Sequence, residues 1–203
     1  MTSNDFPFGR LIFFVTSNFH KFNEARKILA EYNITTAMLR IEVPEIQDDD
    51  LENIAKASAL SATEKTHLPL IVEDAGLFID ELNGFPGPYS KYVLQTIGMK
   101  GILMLLEDND ERRACFRSTV CYCSPEGLLE SFCGVAKGRI SRDIRGNQGF
   151  GFDPIFMPDE NPEKTFGEML IEEKNELSHR SRALRKFAEW YSPASYPLNK
   201  AFK

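Results

Sequence analysis

The sequence lacks a long apolar run, a basic excess and a paired cysteine knuckle, and each lack excludes a class of function. The longest early apolar stretch, residues 11–15 (Leu-Ile-Phe-Phe-Val), is too short for a signal-peptide core and far too short to span a bilayer, so a cytosolic protein with no membrane partner is expected. Lysine and arginine number 24 against 30 aspartates and glutamates, a formal charge of −6. No general field therefore attracts nucleic acid, and an anionic ligand would need a local cluster of cations. Cys115, Cys121, Cys123 and Cys133 lack C-x2-C spacing and fall in strand-like segments, which fits free core thiols better than a zinc site or disulfides. No internal repeat, low-complexity tract or linker interrupts the chain, and residues 1–203 are expected to form one domain.

What is present is an ordinary globular balance, 42% apolar and 27% charged over 203 residues, enough for one sizeable core or two lobes sharing a sheet. Residues 11–15 read as a strand, Thr16-Ser17-Asn18 break it, and Phe22, Ala25, Ile28, Leu29 and Tyr32 recur at helical spacing. After an extended stretch at 40–47, Asp48-Asp49-Asp50 can cap a second helix with a buried stripe of Leu51, Ile54, Ala55, Ser58, Ala59 and Ala62. A strand follows that is expected to close on Glu73-Asp74. Then come a Gly-Pro loop at 84–88, a helix starting from Pro88, and another over about 101–107. Residues 114–123 alternate and are turned by Ser124-Pro125-Glu126-Gly127 into an antiparallel partner over 128–137, so the sheet is mixed. A glycine-aromatic loop at 148–156 leads into a short strand and a polar loop through Thr165. The last helix buries Leu184, Phe187, Ala188 and Tyr191, with Ser178, His179 and Arg180 in its first turn and a Pro-containing tail after it.

The pair Glu73-Asp74 ends the apolar run 68–72 and leads into Ala75-Gly76-Leu77. An unpaired buried carboxylate costs several kcal/mol, so the pair must reach solvent, a cation or a substrate. If the strand stays regular, its successive side chains point to opposite faces and the two acids cannot enter one site equivalently. A hard cation with oxygen ligands, several waters and substrate phosphates suits such acids, and so does simple capping of a turn. Thr16-Ser17-Asn18-Phe19-His20-Lys21 lies between a strand and a helix, where free N–H groups and a lysine favour phosphate, although Ser17 or Asn18 also suits a helix cap and the G-x4-G-K-[ST] pattern is absent. Glu45 and Lys56 read locally as a surface acid and a solvated lysine. Phe150, Phe152 and Asp153 offer either a stacking platform or core rings, and Lys174 with Ser178-His179-Arg180 clusters donors at a helix start.

In order along the chain, TSNFHK (16–21), VPEIQ (43–47), VEDAGLFIDELNGFPGPYSKY (72–92), GFGFDPIF (149–156) and KNELSHR (174–180) resemble the inosine triphosphate pyrophosphatase family, the non-standard purine nucleoside triphosphate pyrophosphatases. The resemblance implies an elongated α/β fold of two lobes, with a long central mixed β-sheet flanked by helices and an active cleft between the lobes, usually as a homodimer. It implies Mg2+-dependent hydrolysis of ITP, dITP and XTP to the monophosphate and pyrophosphate. On this pattern Thr16, Ser17, Asn18, Phe19, His20, Lys21 and Lys56 would hold phosphate, while Glu45, Glu73 and Asp74 would serve the metal and Asp74 would accept the proton of the attacking water. Phe150, Gly151, Phe152, Asp153, Lys174, His179 and Arg180 would form the base pocket, with Ala75 and Ser90 beside the substrate. A related septum-inhibitor type of pyrophosphatase acting on other nucleotides and a nucleotide sensor without turnover are the alternative expectations.

Overall fold

A computed structural model describes residues 10–44 and 46–192. Strand β1 (Arg10–Val15) feeds helix α1 (Phe19–Ala30), and β2 (Ile34–Leu39) returns parallel to β1. Helix α2 (Leu51–Thr66) then leads into β3 (Leu70–Ile79), also parallel to β1. After β3 come a two-residue strand β4 (Pro86–Gly87), helices α3 (Ser90–Thr96) and α4 (Gly98–Leu105), and the long hairpin β5 (Arg113–Cys123) and β6 (Leu129–Ile140). Strand β7 (Phe156–Pro158) and helices α5 (Ile171–Leu177) and α6 (His179–Tyr191) complete the order. The sheet runs β2-β1-β3-β5-β6-β7, with β4 on β3, and changes from parallel to antiparallel at β3. This is the expected mixed α/β architecture, a central sheet flanked by helices.

Alternation along the strands sorts the core onto two faces. On one face Ile12, Phe14, Ile71, Val120 and Tyr122 meet the buried stripes of α1 and α6, including Ala25, Ile28, Leu29, Leu184 and Phe187. On the other, Val15, Leu70, Val72, Cys121 and Cys123 meet Ala55, Ala59 and Ala62 of α2. A third cluster, with Leu77, Ile79, Phe116, Phe152, Phe156 and Phe166, fills the far end of β3, β5 and β6. All four cysteines are free thiols, but only Cys121 and Cys123 are in the core, Cys115 being half-buried and Cys133 exposed; burial pushes the pKa of Cys121 up to about 11.

The caps read from the sequence form as expected. Asn18 Oδ1 accepts the N–H groups of His20 and Lys21 at 2.9 and 3.2 Å, and Asp50 Oδ1 accepts that of Glu52 at 2.9 Å. Other features differ from the sequence reading. β3 does not close on Glu73-Asp74 but continues to Ile79, because β5 pairs with it along its whole length, from Leu70↔Cys123 to Ile79↔Ala114. Gly76 serves packing there, since a Cβ at that position would stand 2.3 Å from the carbonyl oxygen of Gly87. Pro86 and Gly87 belong to β4, so α3 starts at Ser90 and not at Pro88, and α4 lies three residues earlier than expected at its start. Strand β2 and helix α5 were not legible in the pattern.

Candidate active site

The site forms where β3 loses a neighbour. Pairing with β1 stops at Val15↔Val72 and pairing with β4 starts at Leu77↔Gly87, so residues 73–76 have β5 on one side and, among the described residues, no strand on the other. Backbone groups of alternate residues point to alternate edges. The odd-numbered ones face this opening: the Glu73 carbonyl accepts Lys21 Nζ at 3.2 Å, the Ala75 N–H donates to Asp74 Oδ1 at 3.0 Å, and the Leu77 N–H donates to Ser90 Oγ at 2.8 Å. Ser90 Oγ in turn donates to the Gly87 carbonyl at 2.7 Å, which locks β4 and the start of α3 against the opening. Asp74 is half-buried, and its bond to the neighbouring amide turns the carboxylate toward the strand edge.

Glu73, on the opposite face, has a different environment. Its carboxylate is buried, with Oε1 accepting from Ser118 Oγ at 2.6 Å and from Arg180 Nε at 3.1 Å, while Oε2 faces Lys21 Nζ at 2.9 Å. Arg180 continues to Glu24 Oε2 at 2.5 Å, Glu24 Oε1 to Lys174 Nζ at 2.7 Å, and Lys174 to Asp153 Oδ2 at 2.6 Å. Six charges thus alternate in sign from the first turn of α1, through β3 and α6, to the glycine-aromatic loop. Oε1 of Glu73 is hydrogen-bonded and Oε2 is held by the Lys21 ion pair alone, which suits this carboxylate to hold Lys21 and Arg180.

The relay sets the ionisation of its members. Burial opposes charge on Glu73, but Arg180 and Lys21, with the Ser118 hydroxyl, hold its pKa well below the usual carboxylate range. Burial likewise disfavours the Glu24 carboxylate, and Arg180 and Lys174 outweigh it, so that pKa also falls. Asp153 goes the other way despite Lys174 at 2.6 Å, because burial dominates and the charge of Glu24 adds to it. Arg180 is held more firmly protonated, its own burial overcome by Glu73 and Glu24. His179 is buried and stacked on Phe116 at 4.6 Å between centroids, and burial, then Arg180, keeps its pKa well below 6.5. A neutral imidazole results, with Nδ1 buried and without a hydrogen-bond partner.

The glycine-aromatic loop is pinned on the same relay. Asp153 Oδ2 accepts the Phe150 N–H at 2.8 Å, and Gly149 has φ +70° with Asp153 Oδ2 only 2.1 Å from where a Cβ would lie. Phe150 is half-buried, with Lys174 Nζ 4.8 Å and Arg180 Cζ 5.2 Å from its ring centroid and the His20 imidazole stacked on it at 5.3 Å. Phe152 is core, packed with Leu77, Ile155 and Phe156, while Gly151 stays partly open beside Phe150. In the turn before α1, the Thr16 hydroxyl accepts the Asn18 N–H at 3.1 Å, and Ser17 and Phe19 are exposed. Lys56 is paired with Glu52 one helical turn earlier at 2.5 Å. Glu45 lies outside the described residues.

The geometry therefore brings Lys21, Glu73, Asp74, Ala75 and Ser90 to one strand edge and Phe150, Asp153, Lys174, His179 and Arg180 to an adjoining pocket. Glu24 and Ser118 complete the relay and were missed in the sequence. Glu24 falls on the apolar stripe of α1, three residues after Lys21 and four before Ile28, and a carboxylate on a buried stripe was the available signal. Ser118 had none, because its role depends on which strand pairs with β3. Among the described residues, no group of three or more His, Cys, Asp or Glu side chains is arranged to hold a metal ion.

Comparison with known proteins gives a consistent picture. The model of the Ham1 family matches residues 12–190. The dITP/XTP pyrophosphatase of Methanopyrus kandleri is 51% identical over 180 residues, 89% of this chain and 95% of that protein, and that of Pyrococcus horikoshii is 49% identical over 88% and 95%. Among solved structures, a HAM1 protein from Coxiella burnetii superposes with a TM-score of 0.78 at 26% identity, covering 90% of this chain and 98% of that one. A nucleoside-triphosphatase / dITP/XTP pyrophosphatase from Mycobacterium abscessus does so with a TM-score of 0.68 at 31% identity, covering 87% and 98%.

Proposed function

The chain belongs to the Ham1 family, and on that premise we propose that it is a Mg2+-dependent pyrophosphatase that converts dITP, ITP and XTP to the monophosphate and pyrophosphate. The observation that carries the reading is the largely buried relay from Lys21 to Asp153, which couples the first turn of α1 to the pocket around Phe150. Lys174 and Arg180 present donors to a purine carbonyl at C6, and His179 Nδ1 is a buried polar atom that a base can pair. Adenine brings an amino group to the same donors, leaving buried hydrogen-bonding groups unmatched, which is costly. Phe150 is the stacking platform.

At the strand edge, the triphosphate lies beside the Ala75 N–H, Lys21 and the Thr16–Asn18 turn, with Lys56 as a further cation. Asp74 takes the proton from a water that attacks the α-phosphorus. The bond to the bridging oxygen breaks as the new P–O bond forms, and its electron pair leaves with pyrophosphate. Asp74, half-buried and turned to the edge, fits a cation that takes few carboxylates and keeps its waters, with Glu45 as the second acid. Mg2+ there would neutralise charge on the phosphates. Glu73 instead positions Lys21 and Arg180. Exposed Tyr89, Tyr92, Ile97, Met104 and Leu105 on and beside α3 and α4 support a homodimer, which sedimentation equilibrium tests.

Incubation with dITP, ITP, XTP, ATP, GTP, dTTP and UTP in the presence of Mg2+ should give monophosphate and pyrophosphate chiefly from the first three. Release of orthophosphate, or equal turnover of ATP, would overturn the proposal.

A further inference from the structure

His20 makes a contact that phosphate binding does not explain. Its backbone N–H is capped by Asn18 Oδ1 at 2.9 Å, which fixes the residue at the start of α1, yet its exposed imidazole reaches across to Phe150, 130 positions away in the chain, at 5.3 Å between centroids and 22° between planes. Two stacking distances amount to about 7 Å, so no base fits between rings this close. The buried cations of Lys174 and Arg180 also lie over the Phe150 ring. A purine arriving from solvent therefore meets Phe150 with the imidazole already on it.

We propose that His20 is a placeholder: its imidazole occupies the Phe150 stack in the free enzyme and is displaced by the purine base, so that it sets the affinity for the base without contacting it in the complex. The inference rests on the reading of Phe150 as the base platform. An aromatic stack forfeited on binding lowers base affinity by a modest factor. It also keeps the ring covered between turnovers and exacts the same cost from every base, so that the difference between bases comes from the donors of Lys174, His179 and Arg180.

The test uses calorimetric titration of the intact protein with inosine, which has no phosphate, and with deoxyinosine monophosphate. His20→Ala should tighten both by roughly three- to ten-fold, and His20→Trp, a stronger stack, should weaken both. In a Phe150→Ala background, replacing His20 should have no further effect. Unchanged or weaker inosine binding in His20→Ala overturns the proposal, and a loss confined to the monophosphate shows a phosphate ligand instead. The platform is judged separately by Phe150→Ala alone: if inosine binding is undiminished there, the reading of Phe150 fails, whatever His20 does.

Discussion

Glu73 and Asp74 are neighbours in sequence and occupy two differently built regions. Glu73 belongs to a relay of six alternating charges, five of them buried, in which the carboxylates and cations hold one another in place. Asp74 sits half-buried at a strand edge, turned toward the opening by the amide that follows it. A purine ring is rigid and neutral and can be matched by groups fixed in advance. A triphosphate and its cation are highly charged and need side chains that remain hydrated until they bind. The pleat of one strand supplies both settings, because its successive side chains leave on opposite faces.

Neutralising the two acids one at a time should separate the two regions most strongly. Asp74→Asn should lower kcat on dITP by about 10²- to 10⁴-fold, the usual contribution of a general base, with the melting temperature nearly unchanged and deoxyinosine monophosphate still bound. Turnover at the parental rate would remove Asp74 from the proposed role. Glu73→Gln should do the reverse and unfold the protein more readily. Arg180 and Lys21 would lose their shared counter-charge, and breaking a buried pair costs on the order of 3–5 kcal/mol by denaturant titration. Glu24→Gln should behave like Glu73→Gln and not like Asp74→Asn, since it too holds two cations with both oxygens. If instead both Gln variants are stable and lose only activity, the relay is not structural.

A smaller effect separates the regions by pH. His179 has its pKa lowered on folding, so the unfolded chain binds the proton first as pH falls. Its contribution to stability is fully present above about 6.5 and is lost as pH falls below that value, at up to about 1.4 kcal/mol per pH unit. Glu73 and Glu24, with lowered pKa values, add their own loss only below about 4.5. Urea titrations between pH 5 and 8 should show a slope below 6.5 that His179→Gln removes; a slope that persists in the variant would assign it elsewhere. The smallest change is expected from Lys56→Met, whose ion pair with Glu52 is exposed. Its melting temperature should stay at the parental value while KM for dITP rises, and an unaltered KM would exclude Lys56 from the phosphate side.

What could be read in advance follows the range of the interactions. The stripes of α1 and α2, the Asn18 and Asp50 caps and the β5–β6 turn depend on residues within a few positions of one another, and all were legible. β2 was not, because Ile34–Leu39 is an edge strand with a mixed burial pattern, and α5 has seven residues, too few for a clear stripe. The end of β3 was misplaced because Ala75-Gly76 looks like an exit locally, whereas β5 extends the strand from the far side of the chain. The same limit applied at the site. Motifs marked most residues now gathered around Phe150 and Asp74, but Ser118 enters only through strand pairing and Glu24 through the packing of α1 on α5 and α6.

An interrupted sheet edge also bears on solubility. Unpaired strand backbone is a template on which foreign chains can add, and enzymes that bind ligands along such an edge carry that hazard permanently. Among the described residues the uncovered length is 73–76, flanked by β1 at one end and β4 at the other. Four residues are too few to nucleate a cross-chain ladder, and the Asp74 carboxylate and Lys21 ammonium stand at the groups that would have to pair. The charges at the opening thus also oppose the addition of a foreign strand there.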